Sequence, residues 1–222
     1  MTKKDDVLKL LEECSAEERF EVFKHLRTEI PIHSLEAKLN TTAEIILEAI
    51  ERGSDLTLRG VRGIITEVAF AVEVVDKTEG IESVPIVGDV SYDAHLRDAG
   101  GDVKVQIKMQ RKERGKVKVR IGKYVVEVQR TRTGVNKTTG EKTRPYRFGE
   151  FDILAVSLQP STNEWDSFMY TVGVWLIPRK SDARLIEIMQ PVAQEPNEDW
   201  TDDLRTCIEW FRTGKQKTIA GF

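Results

Sequence analysis

The chain has 222 residues, 40% of them hydrophobic and 32% charged, with a formal net charge of −3. That length and apolar content suit one domain, or one domain with a small extension, and argue against a chain disordered throughout. Two cysteines without a Cys-x-x-Cys pair and three scattered histidines exclude a disulfide framework or a structural zinc site. The longest apolar run, Val68-Ala-Phe-Ala-Val72, is far shorter than the ~20 residues of a membrane span. Met1 to Asp6 leads into a charged amphipathic stretch with no apolar signal core, so a soluble cytoplasmic protein is expected.

The first ~55 residues read as helices. Val7, Leu8, Leu10 and Leu11 mark a short one. Ser15-Ala-Glu-Glu18 is a capping box that opens a second, with Phe20, Phe23, Leu26 and Ile30 as its stripe, and Pro31 ends it. Thr41-Thr-Ala-Glu44 repeats the capping pattern before Ile45, Ile46, Ala49 and Ile50, and Gly53 stands where a helix-ending glycine belongs. Leu58 to Val75 predicts a further helix, apolar on one side and carrying Glu67.

The texture then turns to strands, predicted over Asp89–Leu96, Val103–Gln110 and Val117–Gln129, with Asp98-Ala-Gly-Gly-Asp102 as a hairpin signal between the first two. Thr131 to Tyr146 reads as a basic loop. Phe151–Leu158 and Tyr170–Ile177 are nearly continuous apolar runs, as in strands covered on both faces. Leu204, Cys207, Ile208 and Phe211 form a last helical stripe before Gly214. The prediction is an α/β protein in which a helical region over 1–55 precedes a domain over 56–222 whose mixed β-sheet is flanked by helices.

The net charge hides an asymmetry. Lys104 to Arg147 holds 15 Lys/Arg against three acids, a net of +12, and the remainder carries −15. A basic block on an acidic body points to a polyanion partner, and nucleic acid leads because Lys and Arg contacts to phosphate dominate its binding.

The segment that carries chemistry is Ser91 to Arg111. Gln106 and Lys108, two apart on a strand, point to one face. If Ala99-Gly100 is a two-residue hairpin loop, Asp93 lies across from Gln106 on that face, unless the glycines introduce a bulge. A carboxylate, an amide and an ammonium then converge beside the basic block. Mg²⁺ takes such oxygen ligands from Asp93 and Gln106, and Lys108 is suited to orient an attacking water and offset charge on phosphate. Glu67 can add a second carboxylate; its bland alternative is a salt bridge to Arg59 or Arg62. Asp89, Asp98 and Asp102 read as turn residues, Asp152 as a structural hydrogen bonder, His95 as a surface imidazole, and the four tryptophans as packing.

Asp93 followed by Gln106-Ile-Lys108, with an upstream helix acid at Glu67, resembles the PD-(D/E)XK nuclease superfamily in its variant where Gln replaces the acidic member. The wording Val103-Lys-Val-Gln-Ile-Lys-Met-Gln-Arg111, then Phe148-Gly-Glu-Phe-Asp-Ile-Leu-Ala-Val156, is similar to prokaryotic type II restriction endonucleases. No proline precedes Asp93, and Gln106 brings one less negative charge. The resemblance implies a central mixed sheet flanked by helices, Mg²⁺ held at Asp93, Gln106 and Glu67, and hydrolysis of double-stranded DNA. Lys104, Arg111, Lys112, Arg130, Arg132, Asn136, Lys137, Arg144 and Arg147 are the expected DNA contacts, mostly to phosphates. Arg130, Arg132 and Arg144 are better suited to guanine edges. A homodimer is expected, because a two-fold protein can cut both strands of a palindrome. The alternatives are a repair or modification-dependent nuclease of the same fold and a non-catalytic DNA-binding protein.

Overall fold

The computed structural model describes residues 2–130 and 144–222. The chain divides into two compact units, Met1–Val61 and Arg62–Phe222.

The first unit is built from α1 (Lys3–Glu13), α2 (Ala16–Arg27), α3 (Leu35–Leu39) and α4 (Ala43–Glu51), and the start of α5 (Asp55–Ala69). Capping chemistry sets its boundaries. Thr2 and Asp5 close a box on α1, and Ser15 and Glu18 close the predicted one on α2, each pair satisfying two otherwise orphaned N–H groups. The box expected at Thr41 is not formed: Thr42 caps α4, and the Glu44 carboxylate turns to the Arg27 guanidinium (3.0 and 3.1 Å).

Among the described residues of this unit, the buried one is a glutamate. Glu36 accepts from Arg27 Nη2 (2.5 Å), and from the backbone N–H groups of Ile32 (2.6 Å), His33 (3.2 Å) and Ala43 (2.8 Å). The Ala43 N–H, with Arg27 and the other amides, holds the Glu36 carboxyl at about 2, and Arg27 holds Glu44 at about 2. A carboxyl depressed on folding adds stability that is present above its ordinary value of 4.5 and is lost as pH falls through the folded value. Helicity of this unit, followed by circular dichroism, is therefore expected to weaken as pH falls from 4.5 towards 2, and Glu36→Gln is expected to flatten that loss.

The second unit is organised on a five-stranded mixed sheet of order β1-β2-β3-β8-β9. These strands are Glu82–Ser83, Ala94–Asp98, Gly101–Met109, Ile153–Ser157 and Phe168–Val172. β3 and β8 run parallel, with Gln106 opposite Leu154 and Lys108 opposite Val156, and the other neighbours are antiparallel. β8 and β9 are buried along their whole length, which is why they read as unbroken apolar runs. Between β3 and β8 lie two small hairpins, β4–β5 (Lys112–Glu113, Lys116–Val117) and β6–β7 (Val119–Arg120, Lys123–Glu127). The short helix α6 (Gln159–Thr162) precedes β9; β10 (Pro178–Arg179), β11 (Asp182–Ile186) and β12 (Met189–Val192) follow it, and β12 pairs with β7.

Helices flank the sheet as expected. α5 runs directly into a π-helical turn, Phe70–Val75, whose Phe70 is fully buried edge-on to Phe168 (5.5 Å) and near Tyr170 (6.4 Å). α7 (Leu204–Arg212) buries Leu204, Cys207 and Ile208, and Trp175 stacks on Trp210 (5.5 Å). Several predicted boundaries are corrected. Val117–Gln129 is not one strand, because the chain reverses at Ile121-Gly122, both at positive φ. Asp89–Leu96 becomes strand only at Ala94, and Tyr170–Ile177 leaves the sheet after Val172 for a 3₁₀ turn over Gly173–Trp175. No helix among the described residues is long and apolar enough to cross a membrane.

Candidate active site

The β2–β3 turn fixes the site. Asp98 pairs with Gly101 across a two-residue Ala99-Gly100 loop, and Asp98 Oδ1 accepts from the Gly100 N–H (2.8 Å). Gly101 has φ +110°, a conformation other residues resist. Arg212 of α7 clamps the Asp98 carboxylate (Nη1 to Oδ2, 2.8 Å). The turn contains no bulge, so the register runs on to Ala94 opposite Val105, and the Asp93 N–H donates to the Val105 carbonyl (3.0 Å). Side-chain alternation then puts His95, Lys104, Gln106 and Lys108 on Asp93's face, and Val103, Val105 and Ile107 in the core.

Asp93, Gln106 and Lys108 meet there. Asp93 Oδ2 accepts from the Ile107 N–H (2.9 Å), from Lys108 Nζ (3.3 Å) and from Gln106 Nε2. Lys108 Nζ also donates to the Ile107 carbonyl (3.0 Å). The Asp93 and Lys108 side chains each retain 22% exposure, while Gln106 is fully buried. Its Oε1 has no hydrogen-bond partner among the described residues.

Glu67, on α5, lines the same cleft of about 270 Å³ as Phe70, Val75, Asp93 and His95. It is exposed as a residue and makes no ion pair among the described residues, so the Arg62 bridge is not formed. Desolvation by the surrounding protein, then the Asp93 carboxylate, raise its pKa, and Lys108 pulls it back. A carboxyl raised on folding adds stability below its ordinary value of 4.5 and loses it as pH rises through the folded value. Glu67→Gln is therefore expected to raise the melting temperature at pH 7 and to leave it unchanged at pH 4.

The donor set suits a hard cation. Asp93 Oδ1 and the Glu67 carboxyl are anionic oxygens, and the orphaned Gln106 Oε1 is a neutral one. Leaving such an oxygen buried and unpaired costs roughly 1–3 kcal/mol, which a Mg²⁺-type ligand role would offset. Among the described residues no group of three or more His, Cys, Asp or Glu gathers to hold a metal, so a cation here would need the amide as a third protein oxygen.

No family model and no curated protein matches this chain. Among solved structures it is similar to a bacterial homing endonuclease, with 21% identity and a TM-score of 0.38, over 66% of this chain and 83% of that one.

The remaining candidates are distributed unevenly. Asp152 is structural: its Oδ2 accepts from the Lys104 N–H (2.8 Å) and ties β8 to β3. His95 is not a surface imidazole but is largely covered, with Nε2 3.4 Å from Asp102 and its ring edge-on to Tyr92. Lys104 is exposed, 5.8 Å above the Tyr92 ring. The Arg111 guanidinium is bound to Glu127, and Arg130 to Glu150 (2.8 Å). The Arg147 N–H donates to Glu150 Oε2 (2.9 Å), and Lys112 and Arg144 are exposed. Arg132, Asn136 and Lys137 lie outside the described residues.

Sequence reasoning missed Tyr146. Its buried ring stands 5.9 Å from Lys108 Nζ and 5.3 Å from the Arg130 guanidinium, edge-on to Phe151 (5.5 Å). Burial, then the Asp93 carboxylate, push its phenol pKa up, so the hydroxyl stays protonated beside the site. Nothing in Arg144-Pro-Tyr-Arg147 signals this, because long-range pairing of Gln129 with Pro145 brings the ring there.

Proposed function

We propose that the chain is a Mg²⁺-dependent endonuclease acting on double-stranded DNA, in the manner of a sequence-specific type II restriction enzyme. The observation that carries this reading is the convergence of the Asp93 carboxylate, the Gln106 amide and the Lys108 ammonium at the end of one hairpin, in a cleft shared with Glu67. The Asp … Gln-x-Lys resemblance supports the same reading.

Asp93, Glu67 and Gln106 Oε1 would hold the metal, which would supply Lewis-acid polarisation of the phosphate oxygens. The Ile107 N–H and Gln106 Nε2 fix the Asp93 carboxylate, so it needs no reorganisation at the moment of reaction. Lys108 Nζ, anchored on the Ile107 carbonyl, holds a water towards phosphorus and offsets the charge that grows on the phosphate. A P–O bond to that water forms as the bond to the leaving sugar oxygen breaks; the water gives a proton to solvent, and the leaving oxygen takes one from solvent to depart as a hydroxyl. Tyr146 flanks Lys108 with an uncharged ring whose face favours the ammonium without neutralising its charge. A homodimer would present two such sites to the two strands of a palindrome.

The test is incubation of the purified protein with unmethylated phage DNA in Mg²⁺ and in EDTA. Discrete fragments that require Mg²⁺ are expected. Intact DNA on several substrates, with a salt-dependent mobility shift, would replace the nuclease by a DNA-binding protein.

A further inference from the structure

The basic block is not uniformly available to a partner. Arg111 is bound to Glu127, Lys118 to Glu113 (3.1 Å) and Arg130 to Glu150, while Lys123 Nζ donates to the Ala220 and Gly221 carbonyls (2.7 and 3.0 Å). Among the described residues of the block, Lys104, Lys112, Arg114, Lys116, Arg120 and Arg144 are exposed with no ion pair, and three of these are near neighbours in the chain: Lys112, Arg114 and Lys116. All three sit on the β4–β5 hairpin, which pairs Lys112 with Val117 and Glu113 with Lys116 across an Arg114-Gly115 turn.

The tip of that hairpin, like the Ile121-Gly122 tip of the β6–β7 hairpin, holds a non-glycine residue at positive φ. Arg114 has φ +49° and Gly115 φ +78°, the geometry of a two-residue primed turn. The first central position of such a turn favours Asn, Asp or Gly, and a long side chain there carries a conformational penalty. Arg114 is exposed at this strained position and makes no ion pair among the described residues, which points to a role in what it touches outside the fold.

The hairpin is also placed by the site. β3 ends at Met109, and Lys112 follows Lys108 by four residues and Arg114 by six. At ~3.3 Å per extended residue the cations reach at most ~13 to 20 Å from Lys108. On a duplex rising 3.4 Å per step, that is at most roughly four to six steps.

We propose that the β4–β5 hairpin is a phosphate-gripping arm, in which Lys112, Arg114 and Lys116 hold the DNA backbone within roughly six steps of the bond at Lys108. This deepens the proposed function and rests on it. The contacts are to phosphate, so they set affinity and register without reading sequence.

The test measures binding of the full chain to a ~30-bp duplex by fluorescence anisotropy, in EDTA, across a salt series. Each phosphate contact contributes about 0.9 to the slope of log affinity against log salt. Replacing Lys112, Arg114 and Lys116 together by alanine is expected to lower that slope by about 2 to 3. Arg114→Asn, which suits the turn, is expected to lower it by about 1 while keeping or raising the melting temperature. An unchanged slope in both variants, with wild-type binding intact, overturns the arm and leaves the nuclease reading standing. Absence of duplex binding by the wild-type chain overturns both.

Discussion

Lys108→Ala is expected to lower the rate of Mg²⁺-dependent duplex cleavage by at least ~10²-fold, the loss typical when one preorganised donor is removed from a site of developing negative charge. The ammonium stands 3.3 Å from Asp93 Oδ2 and 3.0 Å from the Ile107 carbonyl, so its position is set by the hairpin and not by substrate. Removing it leaves Asp93 its bonds from the Ile107 N–H and Gln106 Nε2. The carboxylate therefore stays in place, and the duplex affinity measured in EDTA should change only a few-fold. Single-turnover cleavage and anisotropy separate the two effects. A variant that cuts at the wild-type rate would remove Lys108 from the chemistry, and one that loses binding and cutting together would make it a groove residue.

Phe70→Ala is expected to destabilise the second unit by about 3–5 kcal/mol, the range for truncating a buried aromatic side chain. Phe70 is fully buried, and its edge-on contact with Phe168 adds a geometric preference that a smaller apolar residue does not restore. The loss is readable as a lower urea midpoint at unchanged slope. Phe70 lies three residues after Glu67 and lines the same cleft, so the helix that carries the upstream carboxylate loses its anchor on the sheet. Cleavage is expected to fall with stability at 37 °C and to recover partly at low temperature. Phe70→Leu, which keeps most of the volume, should lose far less of both.

Two kinds of information were legible in the residues. Local signals gave the helices of the first unit, because a capping box and an apolar stripe act within four residues: Ser15 to Glu18 formed as spelled. The same logic failed at Thr41–Glu44, where Arg27, seventeen residues before Glu44, offered a charged partner stronger than a cap. Turn chemistry and period-2 alternation fixed the hairpin and with it the whole face of Asp93, Gln106 and Lys108, since a two-residue loop leaves one register.

What the sequence determined by itself was thus the β2–β3 hairpin, the buried strands β8 and β9, the uneven charge and the shared face of Asp93, Gln106 and Lys108. Only the tertiary structure decided which charges remain available: it bound Arg111 and Arg130 to glutamates and, among the described residues, left the hairpin cations without an ion pair. It also brought Tyr146 beside Lys108, ended the run after Tyr170 at Val172, and placed Glu67 on the same cleft as Asp93. The physical reason is range. Hydrogen-bonded turns and alternation act between neighbours, whereas an ion pair or a ring contact depends on which distant strands pair, and no local pattern encodes that.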